Sequence, residues 1–428
     1  MTPQLQRAIL LFQQHRHEQA ITELRQSLSA DPHEPYAHAL LGLCLAKGEK
    51  FQEATEEAQQ AIHLSPDFSF AHYALASILR ERHRNEEALV AINEALRLDS
   101  SDADYFAMLS NIHVDEKRWR EALEAAERGL QLDSENIACT NLRAIALVKL
   151  GRKAEAGATI DAALSKNPDN AITHANQGWT LLERGEPKRA LEHFREALRL
   201  DPQNEWARHG IVEALKARNI VYAVMLKYFF WMSRFRGRTQ WVIILGGYFG
   251  NRMLGVVAAA QPSLAPWILP LRILYVVFAL MTWIADPLFN LLLRLNRFGR
   301  LALSRQQVVA ANYLGTCIFL ALVGLAGWVA FGTVGPWPFA AAVFGCLAVP
   351  VSGVFKCASG WPRNTMAIYC AALAIIGVLS LVCFTAVEWH PGKRASDDAA
   401  WALFGMFLLG AIGSTWLANI LISQRPRR

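Results

Sequence analysis

An alanine returns every 34 residues in the first half of this chain, at Ala20, Ala54, Ala88, Ala122, Ala156 and Ala190. Other positions keep the same step. Twelve residues before each alanine stands a small residue (Ala8, Gly42, Ala76, Ser110, Ala144, Gly178), and seven after it another (Ser27, Ala61, Ala95, Gly129, Ala163, Ala197). The eighth residue after it is always aliphatic (Leu28, Ile62, Leu96, Leu130, Leu164, Leu198). The twelfth is Pro or Ser (Pro32, Pro66, Ser100, Ser134, Pro168, Pro202). A fixed period of this length restricts the chain to a stack of like units, each a helical hairpin, and the small residues mark where helix backbones meet.

Two short antiparallel helices cannot each bury a wide apolar face alone, so successive hairpins share a core. The closing turn, such as Leu198–Pro202, stops one helix and opens the next, because Pro fixes φ and disfavours α at the residue before it. The spacing predicts helices near 3–14 and 17–30, recurring every 34 residues to 187–200. A further helix over 205–217 carries Trp206, Ile211, Val212 and Leu215 on one face. It has no second helix in register, Val standing at position 224, and reads as a cap on the open end. Together these residues resemble the tetratricopeptide repeat family over residues 1–204. The bulky aromatic that family carries near the start of each repeat is mostly replaced, by Gln4, His38, His72, Phe106, Thr140 and His174. The expected fold class is all-α: a solenoid of six repeats plus capping helix over 1–217, then a polytopic helical membrane domain.

The resemblance implies a concave face lined mainly by the first helix of each repeat, which binds a protein or peptide. Its groove positions here are Tyr73, Ser77, Arg80, Asn111, Asp115, Asn141, Asn176 and Trp179. Asn offers a bidentate partner for a peptide backbone and the aromatics offer stacking area. A mixed solvated surface is the alternative for the same residues. The family's cationic clamp for peptide carboxylates is absent, its Lys and Asn positions being Ala, Tyr or Leu, which disfavours chaperone-tail binding.

Charge divides the chain. Residues 1–220 hold 26 Lys+Arg and 33 Asp+Glu, net −7, and the remainder 17 and 4, net +13. The basic half is also the apolar half, so the overall charge of +6 does not indicate nucleic acid. Residues 218–240 mix Tyr222, Tyr228, Phe229, Phe230 and Trp231 with Lys227, Arg234, Arg236 and Arg238. That mixture suits a linker helix in the lipid headgroup region, where rings anchor and cations meet anionic lipid; a hydrophobic solenoid cap is the alternative. Over 241–428 follow six apolar stretches near 241–260, 267–286, 310–331, 338–356, 367–388 and 400–422, each close to the roughly 20 residues that cross hydrocarbon. Basic residues gather before the first, between the second and third (Arg294, Arg297, Arg300, Arg305), between the fourth and fifth (Lys356, Arg363) and after the sixth (Arg425, Arg427, Arg428). The positive-inside rule then places both termini in the cytoplasm, with a bacterial-type inner membrane expected. The first two stretches are weaker, because Asn251, Arg252 and Arg272 fall within them; they cross together or not at all.

Ions within a membrane are costly and point to function. The candidates are Arg252, Arg272 and Asp286. The two arginines snorkel, bind a lipid phosphate or line a polar cavity, and Asp286 before Pro287 reads as a solvated site at the inner edge. Gly246-x-x-x-Gly250 reads as a helix-packing motif.

No catalytic constellation appears. His390 is the last histidine and lies in an outer loop, and no G-x-S-x-G, H-E-x-x-H, P-loop or G-x-G-x-x-G is present. His15 and His17 lack further ligands at metal spacing, and the seven cysteines form no C-x-x-C pair. No metal or cofactor is expected. The apolar run Ala8–Phe12 is too short for a signal-peptide core, so the repeats are expected in the cytoplasm. The leading reading is a membrane-anchored scaffold that holds a protein or peptide partner at the membrane in contact with lipid, and is not an enzyme. The alternative is a small-molecule or lipid transporter or channel with a cytoplasmic regulatory repeat domain; a membrane enzyme without a readable motif is a third. The sequence leaves the oligomeric state open.

Overall fold

The computed structural model describes residues 2–294, 303–332, 335–389 and 394–424. Regular structure among them is all helical, in twenty helices. Two compact units divide near Gly210. In the first unit, α1–α12 form six hairpins. They are α1 (Pro3–Gln13) with α2 (His17–Ala30), α3 (Pro35–Lys47) with α4 (Phe51–Leu64), and α5 (Ser69–Glu81) with α6 (Asn85–Leu98). Then come α7 (Ala103–Asp115) with α8 (Trp119–Leu132), α9 (Ile137–Lys149) with α10 (Lys153–Lys166), and α11 (Ala171–Arg184) with α12 (Pro187–Leu200). The single helix α13 (Glu205–Lys216) follows, and its residues from Ile211 on belong to the second unit.

The alanine ladder is the seam of each hairpin. All six alanines are fully buried. A Cβ on Gly42 would lie 2.9 Å from the carbonyl oxygen of Ala54, and Ser110 Oγ donates to the carbonyl of Ala122 at 2.8 Å. Residues twelve apart are therefore where the two helices of a pair cross, and bulk at either would force the backbones apart.

The turns follow from local chemistry. Asp31, Asp99, Asp133 and Asp201 end their helices in extended geometry. Their carboxylates accept from the backbone N–H of His33, Ser101, Glu135 and Gln203, which are Asx turns. Asn136, Asn170 and Asn204 then cap the next helix, accepting from Cys139, Thr173 and Ala207 at 2.8–2.9 Å. The histidines that replace an aromatic have a use here. His38, His72 and His174 each donate through Nε2 to the carbonyl of Pro32, Pro66 or Pro168 at 2.9–3.0 Å, and Arg208 does the same for Pro202 at 3.0 Å. The turn inside each hairpin needs one left-handed residue: His15, Glu49, His83, Lys117, Gly151 and Gly185. Only the last two are Gly, which takes this conformation without a Cβ penalty.

The second unit contains α14 (Ile220–Ser233), α15 (Gly237–Ala260), α16 (Ala265–Leu293), α17 (Arg305–Phe331), α18 (Trp337–Lys356), α19 (Trp361–Trp389) and α20 (Arg394–Ser423). Six of these, α15 to α20, are long and apolar enough to cross a membrane. Val343, Leu347, Leu373, Phe407 and Ala411 form a shared core of α18–α20. α17 lies close on α18: a Cβ on Gly324 would stand 2.5 Å from the backbone nitrogen of Ala341. On α14, Tyr222, Met225 and Leu226 are buried, with the Tyr222 and Tyr228 rings 4.8 and 4.9 Å from Phe289 and Phe278 of α16. α15 buries no residue. It meets α16 through Gly247, against Tyr275, and Gly255, against Arg272. A Cβ on Gly246 or Gly250 would meet nothing within 4 Å, so among the described residues their motif packs on no other helix; the stripe through 247, 251 and 255 faces α16. Arg297, Arg300, His390 and the terminal Arg425, Arg427 and Arg428 lie outside the described residues.

Candidate functional site

The first helices of the hairpins set the candidate groove. Ser77, Asn111 and Trp179 share one register with Leu43 and Ile145, and all but Leu43 are half-buried. Ser77 and Asn111 make no side-chain hydrogen bond among the described residues. Tyr73 and Asn141 share a second register. Asn141 is buried and its Oδ1 has no partner. Tyr73 belongs to an aromatic ribbon that crosses three repeats: Tyr36 stacks on Phe70 at 5.1 Å, Phe70 on Tyr73 at 5.8 Å and Tyr73 on Tyr105 at 5.2 Å. Burial, reinforced by Asp104 and Asp102, pushes the Tyr73 phenol up to about 12, so it stays a neutral donor at physiological pH.

Arg80 and Asp115 satisfy each other. Arg80 Nε donates to Asp115 Oδ2 at 2.9 Å. Asp115 lies in a row of charges 34 residues apart, in which Lys47 pairs with Glu81 at 2.5 Å and Lys149 with Glu183 at 2.6 Å. This row ties neighbouring repeats together.

Asn176 and Trp179 sit at the end of the stack. Asn176 shares its register with Leu40, Ala74, Met108 and Leu142, all buried, and is buried itself. Its Oδ1 accepts from the Trp206 indole at 3.3 Å. The Trp179 ring lies 4.7 Å from that of Trp206, tilted by 32°, and meets Phe194 edge-on at 5.6 Å. Sequence reading did not place Tyr36, Phe70, Tyr105 or Trp206 at the site. Its available signal was that Tyr36, Phe70 and Trp206 fall in one 34-residue register.

The polar residues of the second unit differ from one another. Arg252 is exposed. The Arg272 guanidinium lies along Gly255 with Nε lacking a partner. Asp286 is half-exposed but not simply solvated: it accepts from Lys216 Nζ. Lys216, wholly buried, also donates to Glu213 Oε1 at 2.9 Å, and the Tyr222 hydroxyl donates to Glu213 Oε2 at 2.6 Å. Burial pulls the Lys216 ammonium down, but Glu213 and Asp286 together outweigh it and hold it above its usual value. Lys216 was not legible as a site residue, because its partner Asp286 stands seventy residues away.

The family model described as tetratricopeptide repeat matches residues 5–67, 73–137 and 141–205. Residues 5–205 are tetratricopeptide repeats. No curated protein matches the chain. Among solved structures, YrrB, described as a TPR protein with an unusual peptide-binding site, is 20% identical over 44% of this chain and 96% of its own, with a TM-score of 0.33. PilF of Pseudomonas aeruginosa is 22% identical over 48% and 94%, with a TM-score of 0.40. A tetratricopeptide repeat protein from Parabacteroides merdae is 15% identical over 55% and 93%, with a TM-score of 0.42.

Burial pushes the thiols of Cys44 and Cys139 up to about 12, far from the thiolate a nucleophile needs. His174 and His193 meet at 3.1 Å between Nδ1 atoms, but no group of three or more His, Cys, Asp or Glu that could hold a metal occurs among the described residues.

Proposed function

We propose that this chain is a membrane-anchored tetratricopeptide scaffold. Its repeats bind a protein or peptide and hold it at a bacterial-type inner membrane, with both termini cytoplasmic and without catalysis of its own. The observation that carries this reading is the register of Ser77, Asn111 and Trp179. It offers a hydroxyl and an amide on neighbouring first helices and, beyond the apolar Ile145, an indole, all half-buried, beside the aromatic ribbon of Tyr36, Phe70 and Tyr73. An extended or helical peptide gains backbone hydrogen bonds from the amide and area from the rings. Arg80, Asp115, Asn141 and Asn176 frame the site rather than reach into it. The net charge of −7 over residues 1–220 favours neutral or basic partners and acts mainly on association rate and specificity. The apolar helices α15–α20 supply the anchor and the lipid contact.

Affinity capture with residues 1–217 tests this reading. A scaffold keeps its partner without the membrane half. Trp179→Ala should then weaken capture by about 1–3 kcal/mol, as aromatic anchors do. Retention of partners only by the membrane half, with none on 1–217, would sink it.

A further inference from the structure

The last turn of α18 brings Lys356 to the side of α16. Its Nζ donates to the carbonyl oxygen of Thr282 at 2.5 Å and stands 5.0 Å from the ring centroid of Trp283. That carbonyl is its sole acceptor among the described residues, and it forms no ion pair there. Asp286, one turn further along α16, is engaged by Lys216. An ammonium has three donors, so this one keeps donors that no described residue takes up, while the Asp286 carboxylate acts on it only at longer range.

Lys356 lines a cavity of about 490 Å³ within the second unit. The walls are mostly apolar and aromatic, with Phe229, Ile244, Tyr275 and Phe278 prominent; Gln240 and Asn419 are among the polar contributors. The lining comes from the second half of α14, the N-terminal third of α15, the middle of α16, which includes Ala279, and the last turns of α18 and α20. In the orientation the loop charges favour, those helix ends lie on the cytoplasmic side.

A cation with free donors and no direct ion pair, beside a greasy slot, selects a ligand with one anionic group and a hydrocarbon tail. We propose that this pocket holds one anionic phospholipid, with its phosphate on Lys356 and an acyl chain along Ile244 and Phe278. A soluble anion would leave the aromatic walls unfilled. A zwitterionic lipid would bring its own cation beside Lys356, where like charges repel. Bilayer lipid is also the most concentrated amphiphile around helices that cross a membrane.

Native mass spectrometry of the full chain in detergent, with matched phosphatidylglycerol and phosphatidylcholine at equal concentration, tests the proposal. One phosphatidylglycerol should be retained per chain, with a preference of about fivefold or more, the scale of one lysine near an anionic headgroup. Lys356→Gln should remove the preference, and Ala279→Phe, which fills the cavity, should remove the retained lipid. Equal retention of both lipids by the unaltered chain overturns the proposal, as does an unchanged preference in Lys356→Gln. The unaltered chain decides by itself should either variant fail to fold. Alkaline extraction reads membrane insertion separately, so failure of the anchor reading is distinguishable from failure of the lipid site.

Discussion

Lys216→Met removes a wholly buried cation from between two carboxylates. Lys216 is 0% exposed at the side chain, Glu213 20% and Asp286 50%. Without the ammonium, two carboxylates face each other across a partly buried space, and Tyr222 can satisfy only Glu213. Breaking a fully buried pair from one side costs about 3–5 kcal/mol. Half-exposure of Asp286 lets water screen part of that, so the expected cost is about 2–3 kcal/mol. Asp286→Asn leaves Lys216 paired with Glu213 and should cost about 1–2 kcal/mol. The double variant should cost less than the sum by about 1 kcal/mol or more, since the second change removes a charge the first has stranded. Thermal unfolding of the full chain in detergent reads this, with a fall of roughly 4–12 °C expected for Lys216→Met. The sign with pH is also set. A lysine held above its usual 10.5 contributes fully below that value and loses its contribution only as pH rises through the folded value. The cost of Lys216→Met should therefore be flat from about pH 6 to 9. Strictly additive single variants, or a Lys216→Met melting like the unaltered chain, would refute the cluster as a stabilising unit.

Other expectations follow from the repeats and the loops. Ala122→Trp should destabilise residues 1–217 by about 1–3 kcal/mol or more, because Ala122 is fully buried with Ser110 Oγ 2.8 Å from its carbonyl; an unchanged melting temperature speaks against the seam. His15→Gly should stabilise the same fragment by about 0.5–1 kcal/mol, since φ of 59° carries a penalty of about 1–2 kcal/mol that Gly avoids, less the extra freedom Gly brings to the unfolded chain. A lower denaturant midpoint would show the left-handed turn is not strained. A reporter fused after Arg428 should be cytoplasmic and one inserted near Gly392 external, both positions lying outside the described residues. An external C-terminus would refute six crossings.

The parts of this fold that were legible in the sequence are those set by local chemistry. Asp, Asn and Pro at the repeat turns, and alanines at a constant step, fix helices that begin and end within a residue or two of where the spacing puts them. Apolar length locates α15–α20 but not their ends, because helices such as α16 run on through polar residues to Leu293, well past the apolar stretch that closes near 286. Pairings between distant residues were not legible. Nothing in the sequence ties Lys216 to Asp286, or gives the histidines in place of an aromatic their proline carbonyls. Arg80 and Asp115 read as two open groove residues, whereas the repeat stack brings them together as a pair. Asn141 and Asn176 fall in two adjacent registers that both turn inward, so each is buried and neither lies on an open face. Gly246 and Gly250 carry a packing motif, yet α15 turns the neighbouring stripe to α16, because helix orientation is chosen by the whole face and not by two residues.

In the proposed function a protein partner lies along the first helices of the repeats at the membrane. Site-specific photocrosslinking in membranes tests it most directly. A photoreactive residue is placed in turn at Ser77 and Asn111, and at the exposed Val90 and Leu132 on second helices. The account predicts one shared adduct from Ser77 and Asn111 and none from Val90 or Leu132. Adducts from Val90 and Leu132 alone would contradict it and place the partner on the opposite face of the repeats.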